Sequence, residues 1–151
     1  MMFPFLVDAV VGLVLMTGEA SACSVTIEAQ GVKGSRGVVG YALFASKEGW
    51  PEQVAKAYKD GSQAAAEGTV VLAVNEIKPG RYGVVVLHDE NRNKKLDKKP
   101  SGRPTEGWAM SNNPKAKLQV PKFESAVTEL KCGQRLVVQM RYPTKDQASE
   151  R

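Results

Sequence analysis

Apolar and polar residues alternate with period two over most of the chain. Cys23, Val25, Ile27 and Ala29 oppose Ser24, Thr26 and Glu28, which predicts a half-buried strand. Gly31 to Gly37 reads as a polar, glycine-rich turn. From Val38 to Ala45 the pattern changes: Val39, Tyr41 and Leu43 lie on one side, Val38, Ala42 and Phe44 on the other. A strand apolar on both faces is expected at the centre of a sheet. Thr69–Val74 and Arg81–Leu87 are β-rich, and Lys78-Pro79-Gly80 places a turn between them. Leu130–Tyr142 reads as a last pair of arms broken at Gly133-Gln134. In the second arm Leu136, Val138, Met140 and Tyr142 share one face, and Gln139 and Arg141 the other.

One stretch has a helical period. Pro51 opens it, and Val54, Ala55, Tyr58 and Ala64 follow at spacings near three and four. This predicts one short helix ended by Gly61, or continuing loosely to Ala66. Together the elements predict an all-β fold: an antiparallel β-sandwich of about seven strands, with one short helix. The long loop 89–122 has little periodicity. A connection of that length is uncommon and often functional, so a site is expected there.

The first 22 residues differ from the rest. Ala9–Met16 is an apolar run of eight residues, well short of the ~20 needed to cross a membrane. Gly18 and Ala20-Ser21-Ala22 follow, as after the apolar region of a secretory signal peptide with a small-x-small cleavage site. Asp8 stands where such a signal carries positive charge. The other reading is a buried N-terminal strand or helix. The expected organisation is a signal peptide at 1–22, a sandwich domain at 23–143 and a flexible polar tail at 144–151. The protein would then be exported to the periplasm or beyond, and would not span a membrane.

Composition supports a one-domain chain. It has 151 residues, 42% hydrophobic and 25% charged, which excludes disordered, collagen-like and polytopic membrane classes. One histidine and two cysteines exclude a multi-cysteine zinc module and any mechanism needing two histidines. The net charge is +5. Loss of the leader would remove Asp8 and Glu19 and no base, so the remainder is more basic still. Cys23 has two readings. Ala20-Ser21-Ala22-Cys23 resembles a weak lipobox, whereas an even cysteine count in an exported chain favours a Cys23–Cys132 disulfide. That bridge would contribute ~4–5 kcal/mol in the chain-entropy account.

Several fragments recur in a recognisable order. They are Gly40-Tyr41-Ala42-Leu43-Phe44, Trp50-Pro51, Lys78-Pro79-Gly80-Arg81-Tyr82 and the run His88 to Asp97. After them come Gly102 to Trp108, Ser111-Asn112-Asn113 and Pro121 to Ala126. From about Val25 to Tyr142 the chain resembles the exported bacterial family catalogued as domain of unknown function 2141. The resemblance implies a transthyretin-like or carboxypeptidase-regulatory-like β-sandwich outside the cytoplasm, with no activity established for the class. The usual loop of that family reads Asp-Glu-Asn-Gly-Asn-Gly-Lys-Leu-Asp. Here Arg92 and Lys94 replace the two glycines.

Asp89, Asn91, Asn93 and Asp97 occupy loop positions where alternating oxygen ligands could hold Ca²⁺. Lys94 replaces the turn glycine of such a loop, and Pro100 its bidentate glutamate. Glu90 or Glu106 could stand in for the latter. The alternative is a turn rich in asparagine and aspartate, held by side-chain bonds to its own backbone. From Arg92 to Arg103 there are six bases and one acid, Asp97. Lys94, Lys95, Lys98 and Lys99 would repel a cation; they could meet envelope polysaccharide, anionic lipid or protein, or simply form a solvated loop. Nucleic acid is not expected. His88, Glu106, Trp108 and Asn112 complete the candidate interaction surface. Trp50 and Trp108 could stack on a ligand or form satellite cores under the loops.

The function expected is a non-enzymatic binding or structural module of the bacterial cell envelope, with no certain cofactor and Ca²⁺ as the candidate. The alternative is a small envelope hydrolase using His88 with Asp89 or Glu106, where Ser101 or Ser111 would have to approach through the loop.

Overall fold

A computed structural model describes residues 23–115 and 120–143. The expected signal peptide at 1–22 and polar tail at 144–151 lie outside the described residues. Among the described residues eight strands form: β1 (Cys23–Val32), β2 (Val38–Phe44), β3 (Lys59–Ala64), β4 (Gly68–Ile77), β5 (Gly80–Asp89), β6 (Trp108–Met110), β7 (Val127–Leu130) and β8 (Arg135–Gln139). They build two sheets, one of three strands ordered β4-β1-β8 and one of five. In the five-stranded sheet β3-β2-β5-β6 run side by side, and β7 shares the outer edge of β5 with β6. The expected sandwich is present, with β2 in the interior of its sheet.

The period-two strands make the core. Val25, Ile27 and Ala29 of β1, Val70, Leu72 and Val74 of β4, and Leu136 and Val138 of β8 are buried. They meet Val39 and Leu43 of β2 and Val84 and Val86 of β5 in one cluster. Each fully buried Val, Leu or Ile contributes roughly 1.5–3 kcal/mol relative to exposure. The connection at Pro79 carries the chain from β4 in one sheet to β5 in the other. The two last arms likewise separate: β7 joins β5 and β8 joins β1.

Three expectations are corrected. The helix after Pro51 is a single 3-10 turn, Val54–Lys56, and none of its residues is buried. The next segment is β3. Tyr58 already donates its N–H to the Leu43 carbonyl at 2.7 Å, and Lys59–Ala64 pairs along β2. Three apolar residues at helical spacing bury no face here, so edge pairing decides the backbone. A four-residue helix, α1 (Phe123–Ala126), instead lies at the end of the expected long loop. The third correction is direction, because β8 runs parallel to β1. The Cys23–Cys132 disulfide is formed, with Cα atoms 5.1 Å apart. It ties the start of β1 to the turn just before β8, so both strands set out from the same end. The Cys23 sulfur that a lipid anchor would need is in this bridge.

Candidate functional site

The loop after β5 is ordered by its own polar side chains. Asp89 ends the strand and is buried, and its carboxylate accepts the backbone N–H groups of Asn93 at 3.1 Å and Lys94 at 2.7 Å. Asn91 Oδ1 accepts the Asn93 N–H at 3.3 Å, and Asn93 Oδ1 that of Lys95 at 2.9 Å. The Nδ2 groups of Asn91 and Asn93 donate to the two Asp97 oxygens, the second at 2.7 Å. Arg92 and Lys94 adopt left-handed conformations, φ 59° and 58°. These are the positions where glycine would relieve the turn.

Glu106 closes the loop from inside. It is buried, and its oxygens accept the N–H groups of Glu90 at 3.1 Å and Asp97 at 3.2 Å. Burial pushes its carboxyl above the usual carboxylate range; the Asp97 and Glu90 N–H bonds act the other way, and the charges of Asp97 and Asp89 add to the rise. Asp97, through its carbonyl, also accepts from the Thr105 N–H and hydroxyl at 2.7 and 3.0 Å. Asp89, Asn91, Asn93, Asp97 and Glu106 therefore form one network, and each carboxylate oxygen in it accepts at least one hydrogen bond. Among the described residues no cluster of three or more His, Cys, Asp or Glu is arranged to hold a metal ion.

The other candidates separate. His88 faces the opposite side of β5 and is fully buried. Its Nε2 lies 2.8 Å from the Arg36 carbonyl and its Nδ1 2.7 Å from the Tyr142 hydroxyl. A carbonyl can only accept, so Nε2 carries the proton. The Tyr142 oxygen also accepts the Lys33 N–H at 3.0 Å. His88 thus joins the β1–β2 turn to the chain after β8, not the acidic loop. Ser111 is buried with its hydroxyl donating to the Ala126 carbonyl. Asn112 reaches the Ser125 and Val127 carbonyls at 3.3 and 2.9 Å, linking its turn to α1. Trp50 is a satellite core: its ring packs edge-on to Phe44 and Phe123, at 5.4 and 5.6 Å, and its Nε1 donates to the Pro121 carbonyl at 2.9 Å.

Under the loop lies a groove of about 1270 Å³ on the outer face of the five-stranded sheet. Two rows of paired residues cross that face: Ser62, Gly40, Leu87 and Trp108, then Asp60, Ala42, Val85 and Met110. All eight line the groove. Arg92, Lys94, Lys98, Lys99 and Arg103 also border it, whereas Lys95 does not. Lys98 pairs with Glu52. Among the described residues Arg92, Lys94 and Lys99 make no salt bridge. The Arg141 guanidinium stands 5.3 Å above the Trp108 ring. The aliphatic floor was not among the sequence candidates, although its signal is present: β2 and β5 are apolar on both faces.

Comparison with known proteins gives one family. Residues 27–137 match the model of a family described as an uncharacterized protein conserved in bacteria, DUF2141. No curated protein and no solved structure matches the chain.

Proposed function

The chain belongs to this bacterial family, and we propose that it is a non-enzymatic binding module of the cell envelope that recognises anionic partners through the 92–105 rim. The observation that carries this reading is the excess of positive charge along an apolar groove, with Arg92, Lys94 and Lys99 left without ion pairs among the described residues. Cations held beside an apolar surface attract anions and raise encounter rates. The disulfide is consistent with an exported protein. No helix among the described residues is long and apolar enough to cross a membrane. A non-enzymatic role is supported by His88 and Ser111, whose polar atoms are committed to internal partners.

The test is co-sedimentation with vesicles containing an anionic lipid, and with acidic polysaccharide beads, over a salt series. Binding that falls with salt, and is lost in a variant combining Arg92→Glu, Lys94→Glu and Lys99→Glu, is the expected result. Failure to bind either anionic surface at low salt overturns the reading. His88→Ala is expected to leave this binding intact once the variant is shown to be folded.

In this reading the Asp89–Asp97 turn acts without Ca²⁺. Its carboxylates accept hydrogen bonds from Asn91, Asn93 and Lys94, and Arg92 and Lys94 flank it. A cation would have to replace those donors against two nearby positive charges. Calcium at millimolar concentration is expected to leave the melting temperature unchanged. A rise that disappears in Asp89→Asn would instead assign the metal to this turn.

A further inference from the structure

We propose that the groove on the five-stranded sheet holds a single-chain anionic amphiphile, its aliphatic tail on the sheet and its carboxylate or phosphate head against Arg92, Lys94 and Lys99. The proposal rests on the anion-binding reading above and names the ligand class. It starts from the floor. Val85 and Leu87 of β5 are half-buried on the face away from the core, and Val38 of β2 lies beside them. Between these side chains and β3 stands Gly40. A Cβ added there would meet nothing closer than the Gly61 carbonyl at 3.5 Å. A Cβ there would make only ordinary van der Waals contacts with the neighbouring strand, so close packing does not require glycine at this point of the trough. Gly40 also has no left-handed backbone to explain it.

The far end of the same face shows the contrast. There a Cβ on Gly83 would lie 2.8 Å from Trp50 and 2.9 Å from Phe123, because those rings already cover the strand. One end of the outer face is sealed by aromatic side chains, and the other is aliphatic and open.

The charges select the head group. Asp60 lies at the β3 side of the groove, Asp89 accepts the Asn93 and Lys94 N–H groups, and Glu52 is occupied by Lys98. The remaining balance is positive. A neutral sugar would use neither the aliphatic floor nor the bases. Inorganic phosphate would use the bases alone. The volume exceeds the roughly 300–1,000 Å³ of ordinary compact-ligand pockets, as suits a long flexible chain. The groove is recessed beneath the 92–105 loop, so it fits a free amphiphile monomer and does not project an apolar surface into a bilayer.

The experiment is titration calorimetry on the disulfide-bonded protein with hexyl, octyl and decyl phosphate below their micelle concentrations. Decyl maltoside and inorganic phosphate serve as the neutral-head and tailless arms. Affinity should tighten roughly threefold to fourfold per methylene. Decyl phosphate should bind at least tenfold more tightly than the maltoside, and inorganic phosphate should not compete at equal concentration. Gly40→Phe fills the trough and should weaken decyl phosphate at least tenfold. Leu87→Gln makes the floor polar without adding bulk, and should do the same if the first variant misfolds.

An affinity independent of chain length in the unaltered protein overturns the proposal, as does full binding by a folded Gly40→Phe variant. If salt-sensitive vesicle binding then persists, the amphiphile assignment alone is lost. If vesicle binding is absent too, the broader reading falls with it.

Discussion

The two sheets share a core and differ on their outer faces. In the three-stranded sheet every strand alternates: Glu28, Gln30, Thr69, Ala73, Arg135 and Gln139 point outward, as do two large apolar residues, Val71 and Val137, which are 47% and 39% exposed. That face meets water. In the five-stranded sheet the outward positions of β2, β5 and β6 include Val38, Gly40, Ala42, Phe44, Gly83, Val85, Leu87, Trp108 and Met110, with Arg81 and Asp89 near the two ends of β5. Phe44, Ala42 and Met110 are buried there. This sheet is covered at one end by Trp50 and Phe123 and overhung at the other by the basic loop. The difference teaches that loss of alternation in a strand marks a face with something on it. The first sheet spends its apolar residues on the core alone. The second has enough left to build a floor.

The largest expected effect tests whether the outer faces differ energetically. Phe44 is outward-facing and fully buried, so Phe44→Ala should lower unfolding stability by about 3–5 kcal/mol. Val71→Ser, outward-facing on the other sheet, should stay within about 0.5 kcal/mol of the parent. Urea unfolding of both variants measures the contrast. Similar losses would mean that the aromatic cap over the five-stranded sheet contributes little.

The next effect separates burial of apolar surface from polar bonding. Glu106→Ala leaves the buried-side N–H groups of Glu90 and Asp97 without their carboxylate, at a cost of about 2–4 kcal/mol if the loop does not relax to admit water. Glu106→Gln keeps one acceptor and should lose less. pH supplies a second readout. Burial holds the folded carboxyl above its unfolded value near 4.5. The folded state then binds the proton more readily. This contribution is fully present below the unfolded value and is lost as pH rises through the folded one. The stability difference between the parent and Glu106→Gln should therefore shift toward the parent as pH falls from 7 toward 4.5. A shift in the opposite direction would contradict the raised carboxyl.

What the sequence made legible follows the same division. β1, β4 and β8 are readable because Val25, Ile27 and Ala29, or Leu136 and Val138, alternate cleanly with polar neighbours. β2 is readable as two-sided. β3 is not: Lys59-Asp60-Gly61-Ser62-Gln63-Ala64 has no apolar face, and its strand exists because β2 offers an unpaired edge. The helix expectation failed beside it for a related reason. Tyr58 packs its ring on Tyr82 of β5 at 5.2 Å, and its hydroxyl accepts the Lys78 N–H at the β4–β5 turn, so its contacts are long-range and not those of a helix face. In the candidate site, the cluster of Asp89, Asn91, Asn93 and Asp97 was legible from spacing, and the structure does bring the four together. That Asp97 would be occupied by amide donors was not, because hydrogen-bond partners depend on the path of the turn. The role of Glu106 was visible only as a substitute ligand, whereas it holds two backbone amides. The groove needed three strands in register before Gly40 could be seen as the low point of a floor.

The smallest effect uses the same backbone irregularity in both regions. Glu76, Arg92 and Lys94 all have left-handed φ, at 56°, 59° and 58°. Glu76 lies in the three-stranded sheet, near the register shift between the Cys23–Ile77 and Val25–Val74 pairs. The other two lie in the loop over the five-stranded sheet. For an L-residue this conformation costs roughly 1–2 kcal/mol, and glycine removes it at an entropic cost of about 0.5–1 kcal/mol. Each glycine substitution should therefore stabilise by about 0.5–1 kcal/mol, read as a higher urea midpoint with an unchanged slope. Stability alone would make the three positions equivalent. Anion binding should tell them apart. Glu76→Gly should bind as the parent does, whereas Arg92→Gly with Lys94→Gly should be more stable and bind anionic vesicles more weakly, with a shallower salt dependence. If the loop variant gains stability and keeps its binding, the bases at these two positions are solvated turn residues, and the outer faces of the two sheets differ in packing but not in recognition.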